Sequence, residues 1–340
     1  MKRTFVMLVS MILSGTALCF ANGGKQAASG GASTAADTGN LLIYTSKPDE
    51  DIATVLETFN KKYPEIRTEV FRSGTEEVIS KLYAEKEGGK ILADVVLLAD
   101  NVTFERLKQD KLLLAYNSPG TQNLDAAYYD TDKMYYGTVA ISSVLIYNTN
   151  MVKNPPRDWS DLLGPAAKNN ISMASPLYSG AAAYMLGVLT RQSQFGWDFF
   201  EKLKANDAKV GRGNGGVITD VVNGEKAYGI VIDYMAYNAK KEGNPVDFVF
   251  PASGSIVITE PVGILSSSPN QEAAKKFVDF LLTREGAELG VGIGHIPLVK
   301  GVKPPAELKQ IGDIKALSAD VSVMYQNRDT DKNRFTALFQ

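Results

Sequence analysis

The sequence predicts an α/β protein of two lobes, each a mixed, mostly parallel sheet flanked by helices. Three observations point there. Strand-like and helix-like segments alternate along the chain, the pattern of sheets covered on both faces. The chain has 340 residues, more than one core usually organises. About ten strand candidates are spread over roughly 250 residues, enough for two such sheets.

Leu41–Tyr44 is a short apolar run, as in a buried strand. Thr45 and Ser46 leave it, and Pro48, Asp49 and Glu50 suit a helix start. Ile52, Val55, Leu56 and Phe59 recur at helical spacing, and Pro64 stops the helix. Residues 68–71 form the second strand, and Ser73-Gly74-Thr75 opens a second helix. Residues 91–98 are a third buried strand, with Asp100 as the N-cap of the next helix. Residues 113–132 read as a loop and 135–147 as one or two strands. Residues 159–163 form a short helix and 171–174 a strand that exits through Ser175, Tyr178 and Ser179.

A small-residue helix is expected over 181–190 and an amphipathic one over 195–204. A brief strand at 209–210 leads into Gly211-Arg212-Gly213-Asn214-Gly215-Gly216, read as a tight turn, and a helix over 217–223. Strands follow at 228–232, ending in Asp233-Tyr234, and at 246–250 and 259–265. Residues 270–283 form a further helix.

Residues 1–21 carry the marks of a secretory signal: Lys2 and Arg3, an apolar run from Phe5 to Leu13, then small residues. Cleavage after Ala21 and lipidation of Cys19 are the two processing routes; Leu18 fits the second poorly. Residues 22–40, rich in Gly, Ala and Ser, read as a flexible tether. The protein is therefore expected outside the cytoplasm, in the periplasm. Net charge is −2, and −4 once Lys2 and Arg3 are removed, so nucleic acid is not an expected partner.

Enzyme templates fit poorly. The only cysteine lies in the signal, and the only histidine, His295, has no Gly-x-Ser-x-Gly elbow to accompany it. No zinc spacing and no Walker motif are present. What recurs is a polar exit at the end of a strand or the start of a helix: Thr45-Ser46, Ser73-Gly74-Thr75, Ser175 with Ser179, Asn214 and Asp233-Tyr234. Each alone reads as a cap; together they suggest a cleft of hydroxyl and N–H groups suited to phosphate, phosphonate or carboxylate. Arg72 and Arg212 could supply charge, but read first as solvated surface residues.

Several stretches together resemble periplasmic solute-binding proteins of bacterial ABC importers: LLIYTS, FRSGTEEVISKLYAEK, ADVVLLAD, VLIYNTNMV, PRDWSDLL, NGEKAYGIVIDY and AAKKFVDFLLTREG. The resemblance runs over residues 40–305 and is strongest to the ferric-binding-protein-like branch, which also takes phosphorylated sugars, vitamin phosphates and phosphonates. It implies a Venus-flytrap fold, with lobe 1 at 41–140 and 260–295, lobe 2 at 141–259, and residues 296–340 across lobe 1 and the hinge. Hinge crossings are expected at 139–143 and 251–259.

It also implies a monomer that closes on a small anion, delivers it to a permease and its ATPase, breaks no bond and needs no cofactor. The implied binding residues are Thr45, Ser46, Ser73, Gly74, Thr75, Asp100, Ser175, Tyr178, Ser179, Asn214, Asp233 and Tyr234, with Asp233 and Tyr234 on the ligand's hydroxyl or amine end. Iron-binding members place two adjacent tyrosines after the strand that is here Tyr228–Ile232. This chain has Asp233-Tyr234-Met235, and Ile141-Ser142-Ser143 where an arginine-rich strand often serves the accompanying anion. A phosphorylated or phosphonate-type anion is therefore the first expectation. Ferric iron, held by Tyr44, Tyr178, Asp233 and Tyr234, is the alternative, and an exported phosphate-ester hydrolase or a sensor domain stands behind both.

Overall fold

The computed structural model describes residues 39–340. The signal (residues 1–21), Cys19 and all but the end of the 22–40 tether lie outside the described residues. Chain order is β1 (Asn40–Thr45), α1 (Asp49–Lys62), β2 (Arg67–Arg72), α2 (Thr75–Glu87), β3 (Val95–Leu97), α3 (Asn101–Gln109) and β4 (Tyr136–Asn148). There follow β5 (Ile171–Ala174), α4 (Gly180–Leu189), α5 (Gly196–Ala205), β6 (Lys209–Gly211), α6 (Asn214–Val222), β7 (Tyr228–Ile232), α7 (Asp233–Lys241) and β8 (Val246–Val249). The chain ends with β9 (Ser255–Ile264), α8 (Gln271–Leu281), α9 (Arg284–Ile293), β10 (Ile296–Pro297), β11 (Ala316–Leu317) and α10 (Val321–Phe339).

The main strand order is β2-β1-β3-β9-β4-β7-β5-β6. Parallel pairing joins β1 to β2 and β3, and β5 to β6 and β7. The long β4 belongs to both halves of this array. Its residues 136–142 pair antiparallel with β9, and residues 143–148 pair with β7 and β8. The sheet therefore changes partner between Ser142 and Ser143. All thirteen residues of β4 are buried, in keeping with its continuous run of β-branched, small and apolar side chains.

Burial explains the helices around the sheets. α1 buries Ile52, Val55, Leu56 and Phe59, and Phe59 meets Phe277 of α8 edge-on at 5.1 Å between centroids. That periodic stripe is what made α1 legible. α4 is buried on every side, which its Gly-Ala-Ala-Ala start allows by close approach. Trp159, Phe199 and Phe200 form an aromatic knot that Phe335 of α10 joins.

Several boundaries differ from the sequence reading. Residues 91–98 contribute only Val95–Leu97 to the sheet, because Asp94 turns inward to bond Leu42, Ser268 and Asn270. The Asn214-Gly215-Gly216 stretch is no loop but the first turn of α6, where glycine costs less than in a helix interior. β9 begins earlier than expected, at Ser255.

α10 lies between the two halves. Its Arg328 pairs with Glu76 at 2.7 Å and Asp100 at 2.9 Å, and Lys332 pairs with Glu76 at 2.9 Å. Asp331 turns the other way, 2.7 Å from Arg191, while Met324 lies against Gly187.

Candidate functional site

The strand ends converge on one cavity of about 330 Å³. Four helices start at its wall. Gly74 and Thr75 open α2, Ser179 and Gly180 open α4, Gly213 and Asn214 open α6, and Tyr234 and Met235 lie in the first turn of α7. Helix starts leave N–H groups without intrahelical acceptors and carry partial positive charge. Among the described residues, the N–H groups of Thr75, Gly180, Ala181, Asn214 and Gly215 have no acceptor. The cavity wall is thus rich in donors, as an oxyanion requires.

The hydroxyls are oriented the same way. Ser46 Oγ accepts from Ala99 N at 3.2 Å, and Ser179 Oγ accepts from Ala182 N at 3.2 Å, so each keeps its O–H to donate into the cavity. Thr75 lines the cavity, and its side chain has no hydrogen bond among the described residues.

Two arginines add full charges. Arg72 is held by one bond, Nε to Lys47 O at 2.9 Å, and has no carboxylate partner among the described residues. Arg212 lies 4.4 Å above the Tyr178 ring and reaches both oxygens of Glu77 at 2.8 Å. Glu77 holds the guanidinium in its charged form, raising the Arg212 pKa. Since Glu77 sits on α2 and Arg212 follows β6, this pair ties the two halves together over the cavity. The bond from Glu76 N to Tyr178 O, 3.3 Å, does the same.

The floor comes from the central strands and carries a buried ionisable chain. Glu260 lines the cavity and pairs with buried Lys47, whose Nζ lies 3.4 Å from His295 Nε2. His295 stacks on Tyr234 with centroids 4.1 Å apart, and Tyr234 donates to Asp51 at 3.0 Å. Burial and the neighbouring Lys47 hold His295 well below its ordinary pKa, so it is neutral. Burial pushes the Tyr234 phenol well above its ordinary value, and the carboxylates of Asp51 and Glu260 add to that.

The sequence-derived candidates divide cleanly. Ser46, Gly74, Thr75, Tyr178, Ser179, Asn214 and Tyr234 line the cavity. Five others do not, each for a local reason. Thr45 spends its hydroxyl on Leu97 O at 2.7 Å, and Ser73 donates to Glu77. Asp100 is fully buried, capping α3 through Thr103 N at 2.8 Å and pairing with Arg328. Ser175 accepts from Leu177 N and opens onto a different groove, beside Phe335. Asp233 is fully buried beneath the first turn of α7, with Oδ1 on Tyr234 N at 2.8 Å.

The four proposed ferric ligands are not brought together. Tyr44 sits in the core between α2 and the sheet and donates to Glu85 at 2.5 Å, while Asp233 is covered. Only Tyr178 and Tyr234 face the cavity. No group of three or more His, Cys, Asp or Glu side chains suited to a metal occurs among the described residues. Sequence reading did not select Glu260 or Lys47; it gave Arg72 and Arg212 as possible sources of charge but read them first as surface residues, and Arg212 is indeed exposed while lining the cavity. Arg72 ends β2 one residue before Ser73, so its place at a polar strand exit was the available signal.

Gly74 and Tyr178 meet across the cavity mouth. A Cβ on Gly74 would lie 2.6 Å from the Tyr178 ring and 2.6 Å from its carbonyl oxygen. The Gly74 backbone, at φ −64°, accepts alanine without strain. Gly74→Ala is therefore expected to leave the ligand-free fold intact but oppose closure. Overpacking costs about 1–3 kcal/mol, so affinity should fall by roughly five- to a hundred-fold, read by titration calorimetry.

Asp233 offers a pH prediction. Burial lifts its carboxyl to about 7 from the ordinary value of 3.8. Between those values the folded chain holds a proton that the unfolded chain has lost, so stability falls as pH rises from about 4 to about 7. Asp233→Asn should remove that slope. Chemical denaturation of both proteins at pH 4.5 and 7.5 checks it, with the stability difference between them growing toward the higher pH.

A two-part α/β array joined by shared strands, with a donor-lined cavity between its parts, is the arrangement of a solute-binding protein. The model of the bacterial extracellular solute-binding protein family matches residues 90–315, and the chain belongs to that family. It is similar to a putative 2-aminoethylphosphonate-binding periplasmic protein of Salmonella typhimurium, 27% identical over 246 residues, 68% of this chain and 69% of the relative. It is also similar to an Fe(3+)-binding periplasmic protein of Serratia marcescens, 23% identical over 290 residues, 83% of this chain and 82% of the relative.

Among solved structures, the periplasmic binding protein AfuA of Actinobacillus pleuropneumoniae, with exogenous fructose-6-phosphate bound, superposes with a TM-score of 0.80 at 22% identity. That match covers 88% of this chain and 98% of AfuA. The likeness establishes the two-lobed periplasmic-binding-protein fold. The protein is a solute-binding protein of that bacterial extracellular family.

Proposed function

We propose that the protein captures a small phosphorylated or phosphonate-type anion between its lobes and hands it to a membrane permease. The observation that carries this is the convergence on one cavity of four helix starts and Arg72, which has no carboxylate partner among the described residues. Oxyanions gain from all of these donors at once. Relatives named for 2-aminoethylphosphonate, and a fold neighbour with a sugar phosphate bound, support the same ligand chemistry. Relatives named for ferric iron support the alternative, which the separation of Tyr44 and Asp233 from the cavity disfavours.

We place the hinge where β4 exchanges β9 for β7, at Ser142–Ser143, and where the chain returns into β9 near Ser255. Lobe 1 then comprises residues 41–140 and 260–295, lobe 2 residues 141–259, and the segment after 295 spans both. The protein acts in the periplasm as a monomer, its closed form docking on the permease.

Titration calorimetry with organic phosphates and phosphonates tests this reading. One ligand should bind per chain. Thr75→Ala should weaken it by about tenfold, at 0.5–1.5 kcal/mol for a neutral hydrogen bond and more for one to a charged group. Ser73→Ala, whose hydroxyl serves Glu77, should change little. Ferric binding with no oxyanion binding would overturn the reading.

A further inference from the structure

We infer that Glu260 selects the ligand's far end, and that the ligand is a short zwitterion: an oxyanion joined by an alkyl linker to a protonated amine. This rests on the oxyanion reading above. It starts from an anomaly: a site built to attract negative charge contains a carboxylate. Glu260 is only 6% exposed, yet it lines the cavity. Its Oε2 is taken by Lys47, which is itself 5% exposed. Its Oε1 has no hydrogen-bond partner among the described residues. It is also absent from the fully enclosed unsatisfied atoms, so the cavity is where it opens.

Lys47 takes one oxygen of Glu260 and fixes its orientation. Neutral His295 behind Lys47 adds no second positive charge, leaving the outward oxygen as an acceptor that only a donor can satisfy. An oxyanion there would be repelled, and a methyl group would strand the carboxylate. A hydroxyl or an ammonium would satisfy it, and the neighbouring surface decides between the two. Ile141, Ile232 and Met235 share the cavity with Glu260, and Ile141 and Ile232 come from the strands that flank or adjoin it on the floor. A sugar phosphate would press several hydroxyls against these apolar side chains with no acceptor, each unmade bond costing free energy. An alkyl linker fits them, and its terminal ammonium gains the charge-assisted bond to Glu260.

The cavity wall thus combines helix starts and Arg72, apolar side chains and one carboxylate. The expectation that Asp233, with Tyr234, would receive the hydroxyl or amine end is replaced for Asp233: it is covered at the start of α7, and Glu260 of β9 lines the cavity instead.

The test compares three probes on the wild-type protein and on Glu260→Gln by calorimetry: 2-aminoethylphosphonate, ethylphosphonate and fructose 6-phosphate. Wild type is expected to bind 2-aminoethylphosphonate at least tenfold more tightly than either of the others. In Glu260→Gln the ratio between 2-aminoethylphosphonate and ethylphosphonate should fall toward one. Comparing probes on wild type needs no variant, so misfolding of Glu260→Gln would not shield the inference. Ethylphosphonate or fructose 6-phosphate binding as tightly as 2-aminoethylphosphonate would overturn it while leaving the oxyanion reading intact. Failure of all three to bind would overturn both.

Discussion

Replacing Arg72 and Arg212 together with glutamine is expected to reduce oxyanion affinity by at least about ten- to a hundred-fold. The Arg72 guanidinium can make charge-assisted hydrogen bonds to the ligand, worth roughly 1.5–3 kcal/mol, and 1.4 kcal/mol is tenfold; exposed Arg212 adds to this. Arg72 should carry the larger share. It has no carboxylate to satisfy it among the described residues, whereas Arg212 already bonds both oxygens of Glu77. Losing Arg212 acts in a second way, because its pair with Glu77 bridges the two lobes. Its single variant should raise the dissociation rate more than it slows association. Stopped-flow binding separates the two, and circular dichroism of the double variant should match wild type. An affinity loss under threefold would remove the arginines from the ligand's shell.

The largest effect on stability is expected at Arg328. Its side chain lies between Asp100, which is fully buried, and Glu76, with contacts of 2.9 and 2.7 Å. Burial pushes the Glu76 carboxyl upward, but Arg328 and Lys332 outweigh that and hold it below the ordinary range. Asp100 stays raised by burial despite the same arginine. Arg328→Met would leave buried Asp100 and half-buried Glu76 with Lys332 alone to compensate, and breaking a buried pair in this way costs about 3–5 kcal/mol. The denaturation midpoint should drop accordingly. Arg328→Lys should recover part of the loss but not the forked contact to both acids.

α10 also joins Arg191 and Phe200 on lobe 2, so this damage should loosen closure as well as the fold. Small-angle scattering of the ligand-bound variant would show the wider particle.

How much of this was legible in the sequence follows from what periodicity can carry. α1, α8 and strands such as β5 and β7 bury one face or run continuously apolar, and the reading matched them closely. α10 gave no such stripe. Its buried positions are Met324, Asp331 and Phe335, with half-buried Arg328 beside them, because two lobes pack on it and ion pairs replace an apolar face. The start of α6 was hidden by Gly215 and Gly216, which read as a turn.

The site was half legible for a similar reason. Hydroxyls at strand exits announce themselves locally, yet which way each O–H points depends on partners far along the chain. Thr45 and Ser46 are neighbours with opposite fates: one donates to Leu97, the other accepts from Ala99. Lys47, Glu260 and His295 meet only through the fold, and no spacing could have paired them.

Native mass spectrometry of the protein as purified from the periplasm, with a visible spectrum of the same sample, tests the central claim most directly. The account expects a colourless protein carrying one small organic phosphonate or phosphate, released on Arg72→Gln. A tyrosinate-to-iron absorption band with a bound mass matching iron would contradict it, and would mean that Tyr178 and Tyr234 recruit metal partners from outside this cavity.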